Sequence, residues 1–304
     1  MYIHTHIFCI YIYIMSNKEV ELNGDRLPIR NFDFRMMGAN PAICIIAKRG
    51  SGKSILVRDL LNYFKSKIPT GMIIAPTDKM NCYYGKFVPD TYIHYEYNSD
   101  IVQGLLNRQS IMVDKWKEKK KQGKFVDPRA FLVMDDCLSS KGKWDKDKCI
   151  REIFMDGRHY KLTYILTMQF SLGLLPELRS NFDYIFLLGE DYINNQKRLY
   201  ENYAGMFPSF KSFQRIFNLL TEDYGCMVIS NRGARADFFD KIFWYKANFD
   251  VKINNIGCKQ YLAFHDANYD KNWKKKEHKF DFSKFIESKK GSTLNVDKVN
   301  LHKY

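Results

Sequence analysis

The 304-residue chain lacks the sequence patterns of disulfide-rich, zinc-binding and membrane-spanning proteins. Its seven cysteines lie far apart without a C-x-x-C pair, which argues against a disulfide framework or a zinc site and favours reduced thiols. No apolar stretch is long enough to cross a bilayer, so we expect a soluble protein without a membrane span. Acidic residues number 34 against 48 basic ones, and the formal net charge of +14 favours a polyanionic partner, with nucleic acid as the leading candidate. A lysine-rich solvated surface would give the same charge.

The amino-terminal run of residues 1–14, rich in isoleucine and aromatic residues, has neither the charged start nor the small-residue cleavage site of a signal peptide. Met15 begins a more ordinary polar sequence, so we interpret residues 1–14 as a candidate upstream extension of the reading frame. The segment from Met15 to Asn40 is expected to be an extended lead-in that packs beside the first strand of the core.

A predicted strand, a glycine-containing turn and a predicted helix follow one another from Ala42 to Phe64. In this context a Gly-Lys-Ser ending predicts a phosphate-binding loop, because backbone N–H groups of the turn and the helix N-terminus form a cradle for anions. Alanine replaces the usual first glycine, which the turn tolerates if its φ stays negative, and positive φ is expected at the two glycines. A plain turn before an amphipathic helix is the alternative. The predicted nucleotide-binding residues are Ala47, Lys48, Arg49, Gly50, Ser51, Gly52, Lys53 and Ser54.

Four side chains have specific predicted roles in binding and hydrolysis. Lys53 is expected to reach the β- and γ-phosphates, and the Ser54 hydroxyl is expected to hold Mg²⁺. The apolar run Phe131–Asp136 ends in two carboxylates, which is typical of a buried strand that delivers charge to a ligand crevice. Asp135 is expected to hold Mg²⁺ through water, and Asp136 to accept a proton from the attacking water or to orient it. Alone, such a run is often a strand that enters a turn.

Three further polar residues are candidates for catalysis. Gln169 ends the predicted strand Tyr164–Met168, where it would sense the γ-phosphate and hold the water. A simple strand-terminating glutamine is the alternative. Arg158 precedes that strand, and Arg179 precedes the next one. Each arginine is either a surface residue or an arginine finger that reaches the nucleotide of a neighbouring subunit.

Lysines are concentrated in two places, at the end of a predicted helix, Ile101–Gln122, and from Asp270 onward. Each concentration is either a surface that contacts DNA phosphates without sequence preference or a solvated surface. The aromatic segment Phe238–Tyr245 is expected to pack on the sheet.

Several short motifs follow one another in a fixed order, and they are Ala47–Ser54, Pro76-Thr77, Met134–Cys137, Gly157–His159, Thr167–Gln169, and Leu175-Pro176 with Asn181. This order resembles that of the packaging ATPases of large nucleocytoplasmic DNA viruses, the poxvirus, mimivirus and phycodnavirus kind, within the FtsK–HerA group of DNA-pumping ATPases. The resemblance spans roughly 31–247. It implies that Gln169 is a sensor and that Arg158 is the trans-acting finger. Asp136 stands where many members of the broader group carry glutamate, and this is similar to the viral branch.

The resemblance implies an α/β fold, a RecA-like P-loop NTPase with a mostly parallel central sheet and helices on both faces. We expect an N-terminal extension over residues 1–30, the P-loop ATPase domain over 31–269 and a lysine-rich tail over 270–304. The implied function is ATP-driven translocation of double-stranded DNA that packages a viral genome into the capsid, with ATP and Mg²⁺ as cofactors. Implied partners are DNA, bound without sequence specificity, further copies in a homo-oligomeric ring, and capsid or portal proteins. The expected location is the host-cell cytoplasm, in the viral factory, or the virion.

Three rival functions share a phosphate-binding loop. They are a nucleoside or polynucleotide kinase, a related DNA-pumping ATPase outside packaging, and a nucleotide-dependent switch that acts through protein partners. Kinases seldom place two aspartates on a strand that is followed by a glutamine-tipped strand. The presence of Asp135, Asp136 and Gln169 argues against an inactive site. Stimulation of hydrolysis by DNA, as against transfer of phosphate to an acceptor, separates the translocase from a kinase, whereas a related DNA-pumping ATPase shares the same chemistry.

Overall fold

The apolar runs of the sequence become the central strands of an eight-stranded sheet in the computed structural model, which describes residues 17–22, 25–137, 144–170, 174–233 and 237–273. A separate two-stranded hairpin precedes this sheet. The strands are β1 Asn17–Leu22, β2 Asp25–Arg30, β3 Ala42–Ile46, β4 Gly71–Ile74, β5 Ile93–His94, β6 Ala130–Asp135, β7 Leu162–Met168, β8 Tyr184–Leu188, β9 Gly225–Ser230 and β10 Ile242–Lys246.

Helices connect most of these strands. The α-helices are α1 Lys53–Phe64, α2 Asp78–Asn81, α3 Ser99–Lys121, α4 Lys148–Asp156, α5 Pro176–Arg179, α6 Ile193–Tyr203, α7 Phe210–Leu220 and α8 Lys259–Asn268. Short 3-10 helices cover Phe34–Met36, Tyr84–Lys86, Asp90–Tyr92, Glu222–Tyr224 and Phe238–Asp240. In the described part of the chain, no helix combines the length and the apolar character that a membrane span needs.

The sheet has the strand order β10-β9-β8-β3-β7-β6-β4-β5. The six strands from β8 to β5 are parallel to their neighbours, whereas β9 and β10 each run antiparallel to the strand beside them. Two placements matter for the site: β3 lies between β8 and β7, and β7 separates β3 from β6. The carboxyl ends of β3, β7 and β6 therefore meet at one edge of the sheet.

Apolar side chains cover both faces of the sheet, as the continuous hydrophobic runs of its strands predict. In β3, Cys44 and Ile46 belong to one apolar cluster, while Ile43 and Ile45 belong to the other. Helices α3, α4, α6 and α7 contribute side chains to the first cluster, and α1 packs in the second. The predicted mostly parallel sheet with helices on both faces is confirmed.

The structure corrects one expectation about peripheral segments and refines another. The segment Phe238–Tyr245 does not simply pack on the sheet, because Ile242–Lys246 is itself the edge strand β10. The lead-in does not pair with β3, whose two edges pair with β7 and β8, although Phe32 and Phe34 belong to the apolar cluster of Ile43 and Ile45. Instead, Phe32 donates its N–H to the Trp244 carbonyl at 2.8 Å, so the lead-in runs beside β10. The distance between two segments along the sequence does not predict which strand lies at the far edge of a sheet.

Contacts divide the described residues into a unit that extends to His265 and a second that begins at Asp266. The predicted domain boundaries after residues 30 and 269 stay predictions. Residues 1–14 and the tail from residue 274 lie outside the described residues.

Two glycines give a matched test of the core. A Cβ at Gly71 would lie 2.3 Å from the ring of its cross-strand partner Phe131, which is fully buried. We expect Gly71→Ala to lower the free energy of unfolding by about 1–3 kcal/mol, because the ring must move in a packed core. The control Gly104→Ala lies on an exposed part of α3 with no atom nearby, and it should stabilise the protein by about 0.5–1 kcal/mol. Denaturant unfolding of both variants measures this, and equal effects would contradict the packing.

Candidate active site

The turn between β3 and α1 owes its shape to two glycines. Gly50 has φ of +80° and Gly52 has φ of +96°, a region that side chains rarely tolerate. Ala47 is not among the described residues with positive φ, and its N–H donates to the Met168 carbonyl at 3.0 Å. This hydrogen bond extends the pairing of β3 with β7, and the alanine methyl group is buried in the core. The predicted backbone of the loop is confirmed, including tolerance of alanine at its first position.

The loop opens onto a cleft of about 600 Å³ at the carboxyl edge of the sheet. Two of the predicted loop residues do not line this cleft, because Ala47 is buried beneath it and Ser51 folds back to donate its hydroxyl to the Lys48 carbonyl at 2.7 Å. The cleft is lined by Lys48, Arg49, Gly50, Gly52, Lys53, Ser54, Ile55, Thr77, Asn81, Asp135, Asp136, Gln169, Tyr224 and Phe249.

Lys53 faces both carboxylates of the second motif. Its Nζ lies 3.2 Å from Asp135 Oδ1 and 3.9 Å from Asp136 Oδ2. All three side chains are at most 15% exposed, so water screens their charges only weakly. The Lys53 ammonium lies between the two carboxylates, so it holds the end of β6 against the start of α1. An anionic group that enters the cleft would compete with these carboxylates for the ammonium.

Asp135 is a buried carboxylate whose two oxygens are both hydrogen-bonded. The Thr167 hydroxyl donates to Oδ1, and the Tyr84 hydroxyl donates to Oδ2 at 2.9 Å. Parallel pairing of β6 with β7 sets Thr167 directly beside Asp135. Burial and the neighbouring charge of Asp135 raise the pKa of Tyr84 well above its usual value, so this hydroxyl stays protonated and donates.

The tyrosine that supports Asp135 is itself held by a second buried aspartate. Asp78 accepts the backbone N–H of Tyr83 at 2.6 Å and that of Tyr84 at 3.2 Å. Burial raises the pKa of Asp78, and the two N–H bonds oppose this rise. The turn after α2 is therefore fixed in the orientation that points the Tyr84 hydroxyl at Asp135.

Asp136 has a left-handed backbone, with φ of +53°. Its N–H donates to Thr167 Oγ1 at 3.2 Å, and its carboxylate accepts a hydrogen bond from Gln169 Nε2. A non-glycine residue in this conformation is uncommon, although aspartate tolerates it better than most. Because β7 lies between β3 and β6, Gln169 stands between the phosphate-binding loop and the carboxylates, and it contacts Asp136.

The two candidate arginines lie away from this cleft. Arg158 precedes β7 and forms an ion pair with Asp183, which precedes β8, so it lies at the amino edge of the sheet. The Arg158 side chain is 57% exposed, whereas Asp183 is fully buried. Arg179 donates to the Leu174 carbonyl at 3.1 Å and to the Asn202 side chain. Neither arginine lines the cleft of its own chain.

Ile55, Thr77 and Asn81 line the cleft without a predicted role, and four further residues of the site also had none. Thr167 and Tyr84 orient Asp135, and Tyr224 and Phe249 line the cleft. A hydroxyl residue beside a charged strand end could have revealed Thr167, because the parallel strands β6 and β7 were both predicted. The other three come from irregular segments, whose position relative to the sheet has no periodic pattern to reveal it.

Comparison with known proteins places this geometry in a family. The family model of the poxvirus A32 protein matches residues 28–186, more than half of the chain. The chain belongs to the poxvirus A32 protein family. This is a family of viral genome-packaging ATPases, so the chain is an ATPase by membership, and the resemblance inferred from its motifs is confirmed.

Relatives occur in a mimivirus and in an iridescent virus. Protein L437 of Acanthamoeba polyphaga mimivirus is 49% identical over 249 residues, which cover 82% of this chain and 87% of the relative. Protein 075L of Invertebrate iridescent virus 6 is 33% identical, with 81% and 92% of the two chains covered. Among solved structures, the genome-packaging NTPase B204 of Sulfolobus turreted icosahedral virus 2 with AMPPCP is 17% identical, with a TM-score of 0.49 and coverage of 69% and 99%.

Lys53 and Asp136 should have separable effects on the ATPase. We expect Lys53→Ala to weaken ATP binding by roughly tenfold to a hundredfold, because a charged phosphate contact is lost. Asp136→Asn keeps the shape and the Gln169 contact, so ATP binding should persist while turnover falls by about 10²–10⁴-fold, the range for a lost general base. Calorimetric titration with ATP and phosphate release measure the two effects. Turnover near the wild-type rate in Asp136→Asn, or weak binding by it, would contradict the assignment.

Proposed function

We propose that the chain is an ATP-driven translocase of double-stranded DNA that packages a viral genome into a capsid. The observation that carries the proposal is the convergence of four side chains on one cleft beside the phosphate-binding loop. They are Lys53, Asp135, Asp136 and Gln169. The Lys53 ammonium and the backbone N–H groups of the loop suit a triphosphate. The Asp136 carboxylate, with the Gln169 amide beside it, suits activation of water. This arrangement supports hydrolysis over binding alone.

Each residue of the cleft has a distinct role in the proposed hydrolysis of ATP. Lys53 neutralises charge that develops on the transferred phosphoryl group. Asp136 takes the proton of the attacking water or orients that water, and Gln169 holds the water and senses the γ-phosphate. The contact between Gln169 and Asp136 supports their joint action on one water molecule.

Ser54 and Asp135 would hold Mg²⁺. Their hydroxyl and carboxylate oxygens line the same cleft, and Mg²⁺ prefers oxygen ligands together with substrate phosphates. In the described residues, no group of three or more His, Cys, Asp or Glu side chains could bind a metal by itself. This donor set fits an ion that binds with the nucleotide. When bound, Mg²⁺ supplies positive charge to the phosphates.

We assign the finger role to Arg158, acting on the nucleotide of a neighbouring copy in a homo-oligomeric ring. Its own cleft is at the carboxyl edge of the sheet and Arg158 is at the amino edge, so a neighbour's nucleotide is the one it can serve. Its exposed side chain supports this role. Arg179 is the second candidate, and it must leave Leu174 and Asn202 before it can act, as Arg158 must leave Asp183.

The charge of the chain supports DNA as the polymer that moves. The exposed lysines at the end of α3 add to the net charge of +14 and suit contact with phosphates. Capsid or portal proteins are the proposed partners of the ring. Its proposed location is the viral factory in the host cytoplasm, or the virion.

Double-stranded DNA should stimulate hydrolysis and bind mainly through phosphate contacts. We expect DNA affinity to fall on the order of a thousandfold between roughly 50 and 200 mM salt if six or more phosphates are contacted, and to ignore base sequence. Fluorescence anisotropy with two unrelated duplexes and phosphate release with each measure this. Transfer of phosphate to a nucleoside or to a DNA end, without DNA-stimulated hydrolysis, would favour a kinase instead.

Arg158→Ala should lose turnover by on the order of a thousandfold or more while ATP binding persists, because an arginine finger acts only on the transition state. An equimolar mixture of Arg158→Ala and Lys53→Ala should regain activity. The first variant keeps an intact phosphate-binding loop, and the second keeps an intact finger. Phosphate release by the mixture, compared with each variant alone, measures the recovery.

A matched control separates the finger from the ion pair that Arg158 forms with buried Asp183. Asp183→Asn weakens the same pair and leaves Arg158 in place, and its carbonyl oxygen still accepts the Ala42 N–H that Asp183 accepts at 2.8 Å. We expect this variant to keep turnover. If it lost turnover as Arg158→Ala did, or if demonstrably mixed rings stayed inactive, Arg158 would have a structural role instead.

A further inference from the structure

Two aromatic rings stand at the end of the cleft opposite the carboxylates. Tyr224 directly precedes β9, whose residue Cys226 pairs with Leu188 at the carboxyl end of β8. Phe249 follows the end of β10, and the two ring centroids lie 5.6 Å apart at 77°. The rings therefore lie on the β8–β10 side of the phosphate-binding loop, whereas Asp135 and Asp136 lie on the β7–β6 side. Because the side chains are 56% and 48% exposed, core packing does not account for them.

The backbone that carries Tyr224 is strained. Asp223 has φ of +49° and Tyr224 has φ of +59°, so two successive non-glycine residues adopt the left-handed conformation. For a bulky side chain this is a genuine outlier, and such strain persists where the surrounding structure enforces it. An ion pair between Asp223 and Lys246 joins the turn to the end of β10. A Cβ at Gly52 would lie 3.8 Å from Tyr224 Cδ1, so the strained turn brings the ring within contact distance of the loop.

Phe249 is fixed to the helix that follows the phosphate-binding loop. Arg58 of α1 donates to the Phe249 carbonyl at 2.5 Å. Asp59 of α1 accepts the Tyr245 hydroxyl at 2.6 Å and the Asn248 N–H at 3.0 Å. Both rings are thus held at set positions relative to the loop, by α1 on one side and by the turn before β9 on the other.

We propose that Tyr224 and Phe249 form the base-binding part of the nucleotide site. This inference rests on the proposed function, since it assumes that the phosphates occupy the loop. Two rings near a right angle form a corner in which a planar base lies on the face of one and against the edge of the other. Stacking on an aromatic face stabilises any nucleobase, because every base has a π-face.

The same corner predicts weak discrimination between purines. Of the two rings that form the corner, Tyr224 has one polar group, its hydroxyl, and Phe249 has none. Strong selection between adenine and guanine needs several hydrogen-bonding groups that are left unpaired by the wrong base. ATP and GTP should therefore bind with affinities within about tenfold of each other, and the smaller pyrimidine of CTP should bind more weakly.

The test compares nucleotides with inorganic triphosphate, which occupies the loop without a base. Calorimetric titration of the full chain with each is repeated for Tyr224→Ala and Phe249→Ala. We expect ATP affinity to fall by about 5- to 100-fold in each variant while triphosphate affinity stays unchanged. Tyr224→Phe keeps the ring and should bind ATP as the wild type does. Phe125→Ala removes an 80% exposed ring near the start of β6, away from the cleft, and should change neither affinity.

The outcomes separate this inference from the function on which it rests. If the wild type bound neither ATP nor triphosphate, the proposed nucleotide site itself would be wrong. If the wild type bound ATP and the alanine variants bound it equally well, the aromatic corner alone would be overturned. Equal loss of ATP and triphosphate affinity would also overturn it, because the rings would then support the loop and not the base. A preference for ATP over GTP above a hundredfold would contradict base binding by stacking.

Discussion

The site depends on one buried carboxylate. Asp135 accepts hydrogen bonds from Thr167 and Tyr84 and lies 3.2 Å from the Lys53 ammonium. A charge taken out of water costs several kcal/mol unless partners replace its hydration, so these contacts are conditions for placing Asp135 at the end of β6. Three structural elements meet at this group, namely the neighbouring strand, the first turn of α1 and the turn after α2. The positions of these three elements around the cleft follow from the need of Asp135 for hydrogen-bond and ion-pair partners.

The strand order then decides which chemistry each side of the cleft can perform. Insertion of β7 between β3 and β6 puts Gln169 between the phosphate-binding loop and Asp136. On the other side of β3, the strands β8, β9 and β10 bring apolar rings to the same edge. Charged and polar groups for hydrolysis are thus separated from a surface suited to a base. A nucleotide likewise has its base and its terminal phosphate at opposite ends.

Sequence reasoning succeeded where a residue's position follows from a local pattern. The apolar run Ala42–Ile46 and the glycines after it determine strand, loop and helix within some twenty residues, and the backbone of Gly50 and Gly52 is as expected. The placement of Asp135 at a strand end was likewise readable from one apolar run. Strand order itself was not readable, because it depends on pairing between segments far apart in sequence. The partnership of Asp135 with Tyr84 depends on an irregular turn, and no periodicity marks it.

Of the six described non-glycine residues with positive φ, Asp136 and Tyr224 line the cleft. Asp136 lies at the hydrolytic end with φ of +53°, and Tyr224 at the aromatic end with φ of +59°. A left-handed conformation costs a non-glycine residue about 1–2 kcal/mol, and less for aspartate than for a bulky residue. We propose that the fold retains this cost at both ends because it aims a carboxylate and a ring at the same ligand. Strain at one end would be explained by hydrolysis of a phosphate alone. Strain at both ends suits a ligand that reaches across the loop, as the proposed nucleoside triphosphate does.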